Sequence, residues 1–124
     1  MTDPQQTIKE IFVYEKKYTK YLFGGKNEKG LIKGKLINDI LGYNIDNYLD
    51  FDKLLKDNIA FFPSVYKGTN NYGDRYEGNM VLRGLKGRQA KLTIGVLFKT
   101  DKYKLTSVYI NKLKDSELEY DYYE

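Results

Sequence analysis

Arg75 and Glu77 stand two positions apart in YGDRYEGNMVLRG, residues 72–84. In a strand, residues i and i+2 project from one face, so this spacing sets a guanidinium beside a carboxylate while Tyr76, Met80 and Leu82 point to the other side. Such a pair can be a surface ion pair, with Glu77 bonded to Arg75 or Lys91 and worth about 0–1 kcal/mol. It can also act on a phosphodiester. Glu77, or a desolvated lysine such as Lys33, can take the proton of a ribose 2′-hydroxyl. Arg and Lys can carry the charge that grows on a pentavalent phosphorane, and a hydroxyl can orient a non-bridging oxygen.

For these groups to meet, the second half of the chain must form a sheet. From Ser64 the hydrophobic period drops towards two, and strands are expected near 64–69, 74–84, 88–99 and 103–112. The links NNYGD, LKG and DK are short enough to make an antiparallel meander. RQAKLTIGVLFKT places Ala90, Leu92, Ile94, Val96 and Phe98 on one face and Gln89, Lys91, Thr93 and Lys99 on the other. The wet face then collects Arg75, Glu77, Lys91, Thr93, Ser107 and Tyr109 from strands about 4.8 Å apart.

Ahead of Pro63 the pattern is helical, with helices expected near 14–22, 30–41 and 47–60. Ile8, Ile11, Phe12, Tyr18 and Leu22 approach helical spacing, although the middle of that run also reads as a short strand. In the second helix Leu31, Ile32, Leu36, Ile40 and Leu41 line one face, and Gly42 suits a left-handed C-cap. In the third, Leu49, Leu54, Leu55 and Ile59 form the buried stripe, with Asp46 or Asp50 as the cap. The expected fold class is α+β: N-terminal helices followed by a four-stranded antiparallel sheet. It forms one domain over residues 1–112 with an acidic tail over 113–124, and residues 1–6 are expected to stand outside the packed unit.

Composition narrows the chemistry. A chain of 124 residues has room for one core. It contains no Cys and no His, which removes disulfides, thiolate metal sites and imidazole chemistry, so no metal or other cofactor is expected. No apolar run nears the roughly 20 residues of a membrane span, and MTDPQQTIKE lacks the order of a secretory signal, so no membrane partner is expected. The net charge of +4 is unevenly spread: residues 113–124 hold five acids and one base, while residues 1–112 hold 20 bases against 12 acids, a charge of +8. A basic body suits an anionic partner such as RNA, through counterion release, and the 13 tyrosines offer stacking surfaces.

EKGLIKGKL, residues 28–36, sets two glycines among Lys29, Lys33 and Lys35 at a helix entrance. Free backbone N–H groups and ammonium charge at such an entrance can hold phosphate. The order required of a P-loop is absent, and a solvated lysine face explains the same residues. Candidate RNA-binding residues are therefore Lys29, Lys35, Lys91 and Tyr109.

The segments EKKYTKYLF, KGLIKGKLINDILGY, GDRYEGNMVLRGLKGRQAKLTIGVLF and KLTSVYI resemble, in that order, a bacterial domain family found at the C-termini of large secreted adhesins and polymorphic toxins. The resemblance covers roughly residues 11–111. Its architecture is also similar to the barnase, EndoU, colicin and RelE group of metal-independent ribonucleases. The resemblance implies an RNA-cleaving toxin domain, possibly directed at tRNA, with a cognate immunity protein. It would be delivered within a larger secreted protein and act in the cytoplasm of a target or host bacterium. Lys33 matches the second lysine of the family's loop, Arg75 its Gly-x-Arg-Tyr arginine, and Thr106 and Ser107 its Leu-Thr-Ser pair. Arg75, Glu77, Lys33, Thr106 and Ser107 thus form the candidate catalytic set. Val96 stands where the family carries Trp. A different class remains open: a phage or mobile-element binding module, without catalysis, that inhibits a host defence complex through an acidic or nucleoprotein partner.

The charge distribution yields a first test. Removing residues 115–124 is expected to tighten polyanion binding, read by titration of a labelled oligonucleotide, if the acidic tail competes for the basic body. Unchanged affinity would make the tail an inert end.

Overall fold

The alternation that begins after Pro63 does produce a sheet, and its apolar face is where the helices settle. The structure, a computed structural model, describes residues 5–111, and the tail over 113–124 lies outside them. Five strands lie in the order β1 (Gln5–Gln6), β2 (Ser64–Asn70), β3 (Gly73–Arg83), β4 (Gln89–Lys99) and β5 (Lys102–Asn111), each antiparallel to its neighbour. The fold is α+β, but with five strands where the pattern predicts four. The extra strand pairs Gln5 with Val65 and Gln6 with Ser64, so residues 5 and 6 belong to the packed unit. Two glutamines carry no hydrophobic pattern by which a strand could be read.

The β4–β5 tip falls on Thr100 and Asp101, at φ 53° and 61°, one residue earlier than DK suggests. Positive φ at both tip residues matches the twist of the flanking strands. On the inner face Met80, Leu82, Ala90, Leu92, Ile94, Val96, Leu105 and Val108 are buried. Burying a side chain of this size is worth roughly 1.5–3 kcal/mol, and this face is the base of the core.

The N-terminal segment is not helical until residue 15. It leaves β1 at one edge of the sheet and reaches the other edge at Phe12, whose N–H donates to Tyr103 O (2.7 Å) and whose carbonyl accepts from Leu105 N (2.9 Å). Ile8, Ile11 and Val13 are buried along this strap, with Ile11 and Val13 at alternate positions of an extended chain across the apolar face. The helix α1 (Glu15–Lys17) then passes directly into a π-helical turn, Tyr18–Leu22, closed by Phe23 N donating to Tyr18 O (2.8 Å). Tyr18 is buried, and its hydroxyl donates to Asp52 (2.7 Å), which pairs in turn with Lys56 (2.9 Å).

Helix α2 (Glu28–Leu41) is capped by Asn27, whose side chain accepts from Gly30 N (3.0 Å), and ends on Gly42 at φ 88°, as expected. Its buried face is not the one the apolar residues suggest. Gly30, Gly34, Ile37 and Leu41 face inward, whereas Leu31, Ile32 and Leu36 are exposed. A Cβ on Gly34 would stand 1.7 Å from Leu22 O, and one on Gly30 would stand 2.8 Å from the Tyr21 ring. The glycines let two backbones approach, and that contact outweighs the burial of a more apolar but bulkier face.

Helix α3 (Tyr48–Asn58) continues into a 3-10 turn, Ile59–Phe61. Phe51, Leu55 and Ile59 form its buried stripe at i, i+4 and i+8, with Leu54 partly buried beside them. Leu49 is exposed, since a step of two residues turns about 200° around the helix away from Phe51. Neither Asp46 nor Asp50 caps α3. Asn47 occupies the cap, with its side chain turned back to Asn44 N (2.7 Å) and Gly42 O (3.1 Å).

Gly34→Ala separates two opposing effects. Helix propensity favours Ala by about 1 kcal/mol, whereas the new methyl meets a backbone oxygen that no rotamer can move. Overpacking of this kind costs about 1–3 kcal/mol, so the expected outcome is a net loss of stability, read as a lower urea midpoint at unchanged m-value.

Candidate functional site

The outer face of the sheet carries a cleft of about 460 Å³. Its floor is β4 at Gly95, which pairs with Glu77 on β3 and with Ser107 on β5. A Cβ on Gly95 would lie 2.6 Å from Ser107 Oγ and 3.1 Å from Thr106 Oγ1, so both hydroxyls lean over the space that the glycine leaves. Glycine within a strand marks such an approach.

Two bulges build the walls. On β5 the register slips between Gly95 and Val96: Ser107 pairs with Gly95 and Leu105 with Val96, leaving Thr106 as the extra residue. Leu105 and Val108 can therefore both be buried, although they differ by an odd number of positions, while Thr106 stays exposed at the cleft. On β2 the slip between Tyr66 and Gly68 makes Lys67 the extra residue, and its ammonium stands 3.9 Å from Glu77. Both partners are about half exposed, so the pair contributes at most about 1 kcal/mol and holds the carboxylate loosely. Glu77 thus meets a third cation, Lys67, neither Arg75 nor Lys91. Arg75 makes no ion pair with a carboxylate among the described residues, and Glu77 is the one carboxylate among the described residues lining the cleft.

The opposite wall is β5, with Thr106, Ser107 and Tyr109, and two helical lysines support it from outside the cleft lining. Lys17 Nζ donates to Thr106 O (2.8 Å) and lies 4.8 Å from the centre of the Tyr21 ring. Lys33 Nζ donates to Tyr21 Oη (3.2 Å) and lies 5.5 Å and 5.8 Å from the ring centres of Tyr21 and Tyr109. Lys104 lines the cleft between this wall and the floor. Partial burial lowers the Lys17 pKa from its ordinary 10.5; Tyr21 opposes the shift, and the charges of Lys33 and Lys104 add to it. The π turn spans Tyr18–Leu22, immediately after Lys17 and containing Tyr21, and such turns often mark functional positions.

Of the residues singled out from the sequence, Arg75, Glu77, Thr106, Ser107 and Tyr109 line one cleft, and Lys33 reaches it through the Tyr109 ring. The other lysines are elsewhere. Lys35 projects about 200° around α2 from Lys33 and pairs with Asp39 (3.4 Å). Lys29 is exposed one turn before Lys33, outside the cleft lining. Lys91 shares the outer face but pairs across the strands with Val81 and Asn111, outside the cleft lining. The glycines of EKGLIKGKL do not form a phosphate loop: the Gly30 N–H is taken by Asn27, and both glycines are packed on the segment before them.

Lys17, Tyr21, Lys67, Lys104 and Gly95 were not legible as site residues. Lys17 and Tyr21 did carry a signal, one helical turn apart in KKYTKYLF. Lys67 could not be found, because only the β2 bulge aims it at Glu77. Among the described residues no cluster of three or more His, Cys, Asp or Glu could hold a metal ion, and no helix is long and apolar enough to cross a membrane.

The chain belongs to a family described as a domain of unknown function, DUF6883, whose model matches residues 5–112. No curated protein and no solved structure matches it. The matched span contains the strap, the three helices, the whole sheet and every residue of the cleft.

The lysine cluster yields a direct test. Lys104→Ala removes one of the charges that depress Lys17, so the Lys17 pKa is expected to rise towards 10.5. Side-chain NMR titration of the lysine ammonium groups reads the shift, and an unchanged midpoint would leave burial and the Lys33 charge as its causes.

Proposed function

We propose that this domain binds RNA in the outer-face cleft and cleaves its backbone by attack of a ribose 2′-hydroxyl, without a metal. The observation that carries the reading is Arg75, without a carboxylate partner among the described residues, beside the loosely held Glu77 and facing a wall of hydroxyls and lysines across Gly95. The walls stand two strand spacings apart, about 9–10 Å, which admits a phosphodiester with a proton acceptor on one side and a donor on the other.

Glu77 takes the 2′-hydroxyl proton, the 2′-oxygen bonds to phosphorus, and the bond from phosphorus to the 5′-oxygen breaks. Arg75 and Lys104 balance the added charge on the phosphorane, and Ser107 or Thr106 orients a non-bridging oxygen. The Lys104 ammonium, which lines the cleft, supplies the proton to the departing 5′-oxygen. The products are a 2′,3′-cyclic phosphate and a free 5′-hydroxyl. The biological setting that fits is a bacterial toxin acting on cytoplasmic RNA, delivered by a larger secreted protein and restrained by an immunity protein.

Incubation with labelled tRNA and total RNA, in the presence of EDTA, is expected to give cyclic-phosphate ends. Arg75→Ala is expected to slow cleavage about 10²–10³-fold with the fold intact, as for loss of one preorganised donor. Glu77→Gln is expected to cost roughly 10²–10⁴-fold as loss of a general base. Wild-type cleavage by Arg75→Ala would remove this site. A protein that binds RNA with a steep salt dependence but never cuts it would instead be a binding module that blocks a nucleic-acid-processing complex.

A further inference from the structure

The cleft does not end at its lysine wall. Tyr72, Leu97 and Lys104 also line a second groove of about 310 Å³, which continues past the β4–β5 tip between the strap and the sheet. Three aromatic rings stand in it with much of their surface in water: Phe12 is 43% exposed, Tyr14 57% and Tyr72 69%. Exposed rings gathered in one groove, unlike apolar side chains scattered singly, mark a contact surface.

Phe12 and Tyr14 meet edge to face, their centres 4.7 Å apart. Lys102 lies 5.5 Å from the Phe12 ring centre and Lys104 5.4 Å from that of Tyr14. Tyr72 makes no ring contact among the described residues, and Lys99 completes the charge of the groove. No carboxylate lines this groove among the described residues, so three ammonium groups and three aromatic rings face it together.

An uninterrupted positive track with interleaved rings has a specific chemical complement. Phosphates follow the ammonium groups, and unpaired bases stack on the rings, a contact that works for any base because every base has a π face. A duplex satisfies the lysines but keeps its bases stacked on each other. An acidic peptide satisfies the lysines and leaves the rings without planar partners. The geometry points to single-stranded RNA as the substrate, with the nucleotides next to the scissile phosphate laid along the groove and stacked on Tyr14 and Tyr72.

This inference rests on the RNA-cleaving reading of the cleft, but its test uses RNA that cannot be cut. A 2′-O-methyl single-stranded octamer is titrated by fluorescence anisotropy beside a duplex of the same length and an abasic strand of the same charge. The single strand is expected to bind at least tenfold more tightly than either. Tyr14→Ala and Tyr72→Ala are each expected to weaken single-strand binding about 5- to 100-fold, as for loss of one base–ring stack, and to leave the abasic strand unaffected. Tyr14→Phe is expected to bind as the wild type, since the ring is kept. Both rings are exposed, so thermal melting should be unchanged in all three variants. Equal binding of octamer, duplex and abasic strand, or no effect of either alanine variant, would overturn the stacking groove while leaving cleavage in the cleft intact. Failure to cut unmodified RNA, with stacking present, would overturn the cleavage reading alone.

Discussion

The close approach of α2 to the π turn is the contact on which the rest of the site depends. Gly34 lies against Leu22 O and Gly30 against the Tyr21 ring, at distances that no side chain could occupy. That approach brings Lys33 to the Tyr21 hydroxyl and, past it, to the Tyr109 ring on β5. The same turn puts Lys17 on the carbonyl of Thr106. A wider helix spacing would move Lys33 away from the sheet. The buried Tyr18–Asp52 hydrogen bond fastens the other side of the turn to α3, so the segment is held from both directions.

The sheet contributes a floor and a second wall by departing from regular pairing. A strict meander would alternate its side chains in and out without exception. The β5 bulge lets Leu105 and Val108 both serve the core while leaving Thr106 and Ser107 over Gly95, and the β2 bulge turns Lys67 towards Glu77. Bulges and the missing Cβ of one glycine thus convert an ordinary wet face into a concave one. The charge there is lopsided, with a single carboxylate among the described lining residues surrounded by ammonium and guanidinium groups. Like charges held this close repel, and the depressed Lys17 pKa is the local expression of that repulsion added to burial.

Much of the architecture was legible before the structure. The change of period at Pro63, the Gly42 cap and the inner face of β4 all appear where the pattern puts them, because each is a local property of a few neighbouring residues. The misreadings share a cause. The buried face of α2 was assigned by hydrophobicity, yet packing chose the glycine face, where backbone approach outweighs apolar area. Ile8 and Ile11 fit a helical step, but the conformation of the strap is dictated by a sheet face that lies far along the chain. β1 exists only because β2 offers it an edge.

The sequence alone determined the order of the helices and of the four strands after Pro63, a basic body without histidine or cysteine, and the common face of Arg75 and Glu77, since strand periodicity needs no partner to set it. Only the tertiary structure decided which cations attend that pair. Lys67 reaches Glu77 through a bulge, Lys17 and Lys33 reach the β5 wall beside the cleft through helix packing, and Lys35 and Lys91 lie elsewhere despite equal promise in the sequence. The physical reason is that a lysine's charge is local but its position is not: where the ammonium ends depends on backbone approaches and register shifts between segments distant along the chain.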